Sequence, residues 1–269
     1  MNFIGAGNII DLTVTLAESL PCTWPGHMLF AHNSWVRFRE QKPDAKDVQK
    51  TSPYQTNFII IDEHCGTHFD ASTHFIPPED SGLPFAGPLG SNSAEKVCLN
   101  DLIGPAAVID VRFLNHQKVQ PGVSPTITVE HIISWETEHG PIQAREIVLF
   151  CTGWDRYYQT GNEGRQYVQG PVLFRDTPGW PAPGPETVIY LHEKGVKTIG
   201  TDGTSLGSSH NGAPMHQEGL KRGLIYIEAL THLDQLPPRG AQFLFLPLKV
   251  AGATGCPGRA IAMISQGEQ

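Results

Sequence analysis

Fourteen residues in the first third of the chain carry most of its information about fold and chemistry: Asp62-Glu63-His64-Cys65-Gly66-Thr67-His68-Phe69-Asp70-Ala71-Ser72-Thr73-His74-Phe75. A straight strand would separate His64 from His68 by about 13 Å. A helix would point Asp70 about 200° away from His68. Neither regular element brings all of these side chains and His74 together. We therefore predict a bend after a strand at 58–61, with Gly66 as the permissive position, so that the polar side chains converge.

The residue types in this segment indicate a metal site. Imidazole and carboxylate groups without thiolate suit Mn²⁺, Zn²⁺ or Fe²⁺. Three protein ligands leave open positions for water and substrate, which is the arrangement of a catalytic site. The alternative is a hydrogen-bonded polar cluster at a strand end. Three histidines and an aspartate within eleven residues favour the metal site, since histidine is the commonest metal ligand.

A second pair of candidate ligands lies far along the chain. His216 and Glu228 are twelve residues apart, with Gly223 between them. Glu228 interrupts the apolar stretch 224–230, and a carboxylate buried there needs a cation or another partner. The sequence leaves two interpretations open, a metal ligand and a salt bridge to a Lys or Arg.

Two further residues are candidates for supporting roles. Trp24, which is followed by Pro25 and Gly26, either packs in the core or stacks on an aromatic substrate. Asp202 follows 196–199, a run rich in residues that favour strands, and lies at the strand end where the sites of α/β proteins gather. We expect Asp202 to hold a ligand histidine through a hydrogen bond.

Short apolar runs flanked by Gly or Pro predict strands, and segments that end at Gly predict helices. The predicted strands are 9–14, 58–61, 108–111, 147–150, 197–199, 243–246 and 260–264. The predicted helices are 128–140, 186–194 and 214–223, and long polar loops are predicted at 43–53 and 159–185. Because strands outnumber helices, we predict one mixed α/β domain over residues 1–269 with a sheet or barrel-like core.

Composition excludes several classes of protein. With 39% hydrophobic and 17% charged residues, the chain is not intrinsically disordered. A net charge of -8 without any basic block argues against nucleic acid, and the longest apolar run, 243–248, is too short to cross a membrane. The first basic residue is Arg37, and the five cysteines form no CxxC pair. We predict a cytoplasmic protein with reduced thiols and a small-molecule substrate.

The pattern His64-x-Gly66-Thr67-His68-x-Asp70-x-x-x-His74 resembles the signature of the metal-dependent cyclase superfamily, which includes the bacterial kynurenine formamidases and the isatin hydrolases. Thr23-Trp24-Pro25-Gly26 is similar to an N-terminal element of that family. Ala253-Thr254-Gly255-Cys256-Pro257 makes the chain look closer to the isatin hydrolases. The resemblance implies a barrel-like core of the swivelling β/β/α type and a homodimer or homotetramer.

The resemblance also implies a ligand set. His64 and His68 would hold one metal ion, Asp70 would bridge, His216 would hold a second ion and Glu228 would contact both. The isatin hydrolases are associated with manganese and lack the glutamate, so Glu228 departs from them. The sequence therefore leaves open whether one or two ions bind, and whether they are Mn²⁺ or Zn²⁺.

The implied function is metal-dependent hydrolysis of an amide, lactam or imide C–N bond in a small aromatic molecule. His74 would be the general acid/base that moves a proton to the leaving nitrogen, rather than a ligand. The alternatives are an arylformamidase, a non-hydrolytic metal-dependent cyclase or dehydratase, and an inactive metal-binding structural protein. An intact His74 beside three ligands argues against the last, because a structural site needs no spare base.

Overall fold

The computed structural model describes residues 8–38 and 51–264, and its centre is a closed barrel of seven strands. The strands of the described residues are β1 (Asn8–Asp11), β2 (Ala31–Phe38), β3 (Thr51–Ser52), β4 (Thr56–Ile60), β5 (His68–Asp70), β6 (Ile103–Asp110), β7 (Thr126–Ile127), β8 (Ile147–Cys151), β9 (Ala182–Pro183), β10 (Thr198–Thr201), β11 (Ile225–Glu228), β12 (Ala241–Pro247) and β13 (Gly255–Ile264). The order around the barrel is β13-β12-β6-β8-β10-β11-β5, and β5 closes the ring by pairing with β13. The prediction of a mixed α/β fold with a barrel-like core is confirmed.

One half of the barrel is parallel and formed by β6, β8, β10 and β11. All five residues of β8 are buried, as expected of a parallel strand covered on both faces. Along β8 the side chains alternate between two apolar clusters. Leu149 packs with Phe243 and Ile227, whereas Val148 and Phe150 pack with the helical layer. The first cluster fills the barrel, and the second joins it to its helices.

The helices of the described residues are α1 (Val129–His139), α2 (Gly161–Gly164), α3 (Pro185–Glu193) and α4 (Ala213–Leu220). Helices α1, α3 and α4 confirm the three predicted helices, with small differences at the ends, whereas α2 lies in a segment predicted to be a loop. Thr128 forms the N-terminal capping box of α1, and Gly140 follows its last turn. Ile132 of α1, Leu191 of α3 and Met215 of α4 pack in the helical cluster. In the described part of the chain, no helix is long and apolar enough to cross a membrane.

Outside the barrel lies a small sheet of the order β3-β2-β4. It contains the predicted strand 58–61, but the residues of β4 are exposed and do not belong to the core. The predicted loop 43–53 lies mostly outside the described residues, and its last part contains β3. The predicted loop 159–185 contains α2, a π-helical turn at Gln169–Phe174 and β9, which pairs with β7.

Candidate metal centre and catalytic cavity

The histidine segment reaches the barrel through a tight bend at Gly66. The φ of Gly66 is +61°, which glycine adopts without strain, and a Cβ there would lie 2.3 Å from Leu16 Cδ2. The predicted bend is therefore present. Directly after it, His68 and Asp70 lie two residues apart on β5, so both side chains point to the same face of the barrel wall.

Strand pairing brings Glu228 to this face. His68 lies directly opposite Glu228 in the antiparallel ladder between β5 and β11. His68 Nε2 is 3.6 Å from Glu228 Oε2 and 3.6 Å from Asp70 Oδ1. His216 on α4 completes the group, with Nε2 3.2 Å from Glu228 Oε1 and 3.4 Å from Asp70 Oδ2. Side chains from three separate parts of the chain thus converge on one point.

His74 lies at the end of a short 3₁₀ helix, Ser72–His74, which follows β5. Its ring stacks on that of His64, with the ring centroids 3.9 Å apart. Two sets of three donor atoms lie close together, with the atoms of each set within 4.8 Å of one another. The first set comes from His64, Asp70 and His74, and the second from His68, Asp70 and Glu228. The two sets share Asp70. His64 Nδ1 and His68 Nε2 both face Asp70 Oδ1, and the expectation that they hold the same ion stays a prediction.

Backbone carbonyls orient two of the imidazole rings. His68 Nδ1 lies 2.8 Å from the Gly66 carbonyl oxygen, and His216 Nδ1 lies 2.9 Å from that of Gly212. Since a carbonyl oxygen only accepts hydrogen bonds, each Nδ1 carries the hydrogen. In the neutral form of each ring the lone pair is then on Nε2, which faces the carboxylates of Asp70 and Glu228.

Burial and neighbouring charges shift the pKa values of Asp70, His216 and His74 in this centre. Burial would raise the pKa of Asp70, but His74, His216 and His64 hold it well below its usual range. Burial lowers the pKa of His216, but Asp70 and Glu228 outweigh this effect and raise it to about 10. Burial lowers the pKa of His74 to about 4. Asp70 is therefore ionised and His74 is neutral at physiological pH.

These residues fit a divalent metal ion. Asp70 Oδ2 is buried and accepts no hydrogen bond within the described residues, and His216 Nε2 lies 3.4 Å away, so the negative charge of Asp70 is only partly compensated in the interior. Carboxylate oxygen and imidazole nitrogen are the donors that such ions use in catalytic sites. Within the described ranges, Glu228 forms no ion pair with a Lys or Arg, which was the alternative interpretation of this buried acid.

The centre borders a cavity of about 330 Å³, which is lined in part by His64, His68, His74, His216 and Glu228. Aromatic side chains line much of it, namely Trp24, Phe75, Tyr158 and Tyr167. Trp24 packs edge-on against the buried Trp180, with the ring centroids 6.1 Å apart. Both expectations for Trp24, core packing and exposure to a substrate, are compatible with this position. The arrangement offers an apolar surface for a flat molecule beside a polar, charged floor.

Asp202 does not have the expected role. Its carboxylate accepts hydrogen bonds from the backbone and hydroxyl of Thr152 and from the backbone of Gly153, and not from a ligand histidine. The physical reason is local. Strands β8 and β10 are neighbours, and the turn after β8 presents unpaired N–H groups to the end of β10. Asp202 thus fixes this turn.

Sequence reasoning missed the groups that hold Glu228. Ser205 Oγ and the Leu206 backbone N–H both donate to Glu228 Oε1, at 2.9 and 2.7 Å. Ser205 has no motif around it, and only the fold brings it to β11. Cys65, which follows His64, is fully buried, and its thiol lies 3.9 Å from Thr23 Oγ1, consistent with packing.

The family model described as putative cyclase matches residues 10–208. The chain belongs to this cyclase family, and it is a hydrolase. It is 32% identical over 230 residues to the isatin hydrolase of Roseibium aggregatum, a match that covers 81% of each chain. It is 29% identical over 254 residues to the kynurenine formamidase of Erythrobacter litoralis, covering 94% of this chain and 92% of that protein.

Solved structures agree with this assignment. Isatin hydrolase A from Labrenzia aggregata, bound to benzyl benzoate, superposes with a TM-score of 0.74 at 26% identity, covering 97% of this chain and 94% of that one. Isatin hydrolase A from Ralstonia solanacearum superposes with a TM-score of 0.73 at 27% identity, covering 96% and 92%. The family resemblance that the sequence motifs indicated is confirmed.

Proposed function

We propose that this protein hydrolyses the C–N bond of a cyclic amide in a small aromatic molecule of the isatin type. The observation that carries the proposal is the convergence of His64, His68 and His216 on the buried carboxylate of Asp70, beside a cavity that the same three histidines line. The likeness to isatin hydrolases in sequence and in fold supports the choice of bond.

The residues proposed to hold a divalent ion are His64, His68, Asp70, His216 and Glu228. His64 Nδ1 and His68 Nε2 both face Asp70 Oδ1, and His216 Nε2 faces Asp70 Oδ2. Because the set contains oxygen and nitrogen donors without sulfur, we propose Mn²⁺ or Zn²⁺. When bound, the ion would supply Lewis-acid polarisation of the amide carbonyl and acidify a water molecule.

His74 is proposed as the general acid/base. Its neutral imidazole can accept a proton from the attacking water. The resulting imidazolium lies near Asp70, whose charge stabilises it, and can then return the proton to the leaving nitrogen. This transfer allows the amine to leave as a neutral group.

The aromatic wall is proposed to bind and orient the substrate. Trp24, Phe75 and Tyr158 line the cavity, whose volume of about 330 Å³ suits a one- or two-ring molecule. Stacking on these rings would hold the substrate with its carbonyl towards Asp70 and Glu228. The same walls reduce the access of bulk water.

The test is hydrolysis of isatin and of N-formylkynurenine by the purified protein. We expect activity on isatin that is lost after treatment with a chelator and restored by Mn²⁺ or Zn²⁺. Asp70→Asn should lose both metal and activity. Asp110→Asn, at an exposed aspartate paired with Arg112, is the matched control and should retain both. Unchanged activity in the presence of the chelator, with no metal in the protein, would overturn the proposal.

A formamidase is the second candidate, and Glu228 favours it. Two donor sets that share Asp70 offer positions for two ions. The kynurenine formamidase of Erythrobacter litoralis matches over 94% of this chain, whereas the isatin hydrolase of Roseibium aggregatum matches over 81%. Preferential turnover of N-formylkynurenine, together with two ions per chain by elemental analysis, would establish this alternative.

A further inference from the structure

Two residues beside the centre have no role in the mechanism above, although both lie in motifs of the sequence. Glu63 directly precedes His64, and Thr254 belongs to the segment 253–257. Thr254 donates two hydrogen bonds to Glu63 Oε2, one from its backbone N–H and one from Oγ1, both at 2.8 Å. Thr254 Oγ1 also lies 2.9 Å from His64 Nε2. The three residues form a continuous hydrogen-bonded chain.

The chemistry of Glu63, Thr254 and His64 determines which atom carries the hydrogen in each of these hydrogen bonds. A threonine hydroxyl has one hydrogen, and a carboxylate only accepts hydrogen bonds. The Thr254 hydrogen therefore points to Glu63, and towards His64 the same oxygen can only accept. His64 Nε2 must then carry a hydrogen. A neutral ring with the hydrogen on Nε2 has its lone pair on Nδ1.

His64 Nδ1 faces Asp70 Oδ1 at 2.9 Å. At this distance a lone pair and a carboxylate oxygen repel each other unless a hydrogen on Nδ1 or a bound cation lies between or beside them. A metal ion takes the place of that hydrogen. His68 and His216 are oriented the opposite way, because their Nδ1 atoms donate to backbone carbonyls and their Nε2 atoms face the carboxylates. His64 is thus the histidine of the centre whose Nδ1 faces a carboxylate.

Close packing keeps the ring of His64 in this position. A Cβ at Gly255 would lie 2.6 Å from His64 Cε1 and 3.1 Å from Nδ1, so the first residue of β13 lies against the imidazole. The preceding residue, Thr254, is itself held in place, because its carbonyl accepts a hydrogen bond of 2.9 Å from the Ala71 backbone N–H. The ring cannot exchange its two nitrogens without moving β13.

We propose that Glu63 and Thr254 are positioning residues that fix the tautomer of His64, so that His64 binds the metal ion through Nδ1 while His68 and His216 bind through Nε2. The proposal rests on the metal site of the proposed function. Partners of this kind, when removed, typically reduce metal affinity by about 10- to 100-fold.

The test uses Zn²⁺ as the probe, because it is diamagnetic and its affinity can be measured by competition with a chelator. Thr254→Val replaces the hydroxyl with a methyl group of the same shape, and we expect it to bind Zn²⁺ about 10 to 100 times more weakly. Thr254→Ser keeps the hydroxyl and should stay within about threefold of the wild type. Glu63→Leu frees the Thr254 hydroxyl to donate to His64 Nε2, so we expect the same fall as in Thr254→Val.

A matched control is Thr13→Val. The Thr13 hydroxyl also bonds to β13, by donating to the Ala260 carbonyl and accepting from the Ala260 N–H, and within the described residues it forms no hydrogen bond with a histidine. We expect this variant to lower stability without changing the affinity for Zn²⁺. In the Zn²⁺-loaded wild type, long-range ¹⁵N spectra of labelled histidine should show Nε2–H on His64 and Nδ1–H on His68 and His216.

Two results would overturn the proposal, namely Zn²⁺ affinity within threefold of the wild type in Thr254→Val, and ligation of His64 through Nε2 in the spectra. Failure of the proposed function would give a result that differs from these two. In that case the wild-type chain itself would bind no metal or hydrolyse no amide, whichever residue occupies position 254.

Discussion

The buried carboxyl group of Asp202 should make the stability of the protein depend on pH in a direction opposite to that of an ordinary acid. Burial raises its pKa from 3.8 to about 7, and the neighbouring Asp155 adds to this, although Thr152 and Gly153 donate hydrogen bonds that oppose it. Between these two values the folded chain holds a proton that the unfolded chain has released. The contribution to stability is therefore complete below about pH 4 and is lost as the pH rises through 7.

The magnitude follows from the shift. A difference of one proton between the folded and unfolded states changes the free energy of unfolding by about 1.4 kcal/mol per pH unit. Over a shift of about three units, the free energy of unfolding falls by up to about 4 kcal/mol between pH 4 and pH 7. Asp202→Asn removes the titration. Its amide nitrogen cannot accept the hydrogen bond from Gly153, so the variant also loses about 1–3 kcal/mol at every pH.

The assay is urea unfolding of the wild type and of Asp202→Asn at pH 5, 6 and 7, with a chelator present in both. We expect the stability advantage of the wild type to shrink by about 1.4 kcal/mol with each pH unit. Parallel pH dependences, or an advantage that grows with pH, would refute the reasoning, because they would mean that the donors of Thr152 and Gly153 hold Asp202 ionised.

Three further predictions concern the centre itself. His74→Ala should keep its metal content and melting temperature but lose about 10²- to 10⁴-fold in turnover, and loss of the metal with the activity would instead make His74 a ligand. In Gly207→Ala the new Cβ would lie 2.6 Å from His216 Cε1, so the ring must shift and the Zn²⁺ affinity measured by chelator competition should fall by about tenfold or more. Mn²⁺ or Zn²⁺ at 100 times its dissociation constant should stabilise the wild type by about 2.7 kcal/mol in thermal unfolding, and should not stabilise Asp70→Asn.

Local sequence was sufficient to predict the elements whose signals are local. The apolar run of β8 and the Thr128 cap of α1 appear where they were predicted. Gly66 makes the expected bend because a tight turn with positive φ favours glycine. The exposure of β4 could not be predicted, since an apolar run does not reveal whether a neighbouring layer covers it.

The centre could be predicted only in part, because its assembly depends on pairings between distant residues. His68 meets Glu228 through the register of β5 and β11, which no spacing in the sequence encodes, and the family resemblance supplied that link. Strand β5 has three residues, too few for a periodic signal. Asp202 was assigned a wrong role because the turn after β8 competes for its carboxylate, and that turn is adjacent only in the folded barrel.

Strand β5, which closes the barrel, also constrains the order in which the protein can fold. Strand β5 pairs on one side with β11 and on the other with β13, and both partners lie more than 150 residues further along the chain. Contacts of such long range form late in folding, because the intervening chain must first be brought together. During synthesis, His68 and Asp70 are therefore made well before Glu228, and an unfinished chain contains only part of the proposed set of metal ligands. Binding of the proposed ion would then mark the moment at which the barrel has closed, so that stopped-flow metal binding during refolding would follow the last step of assembly.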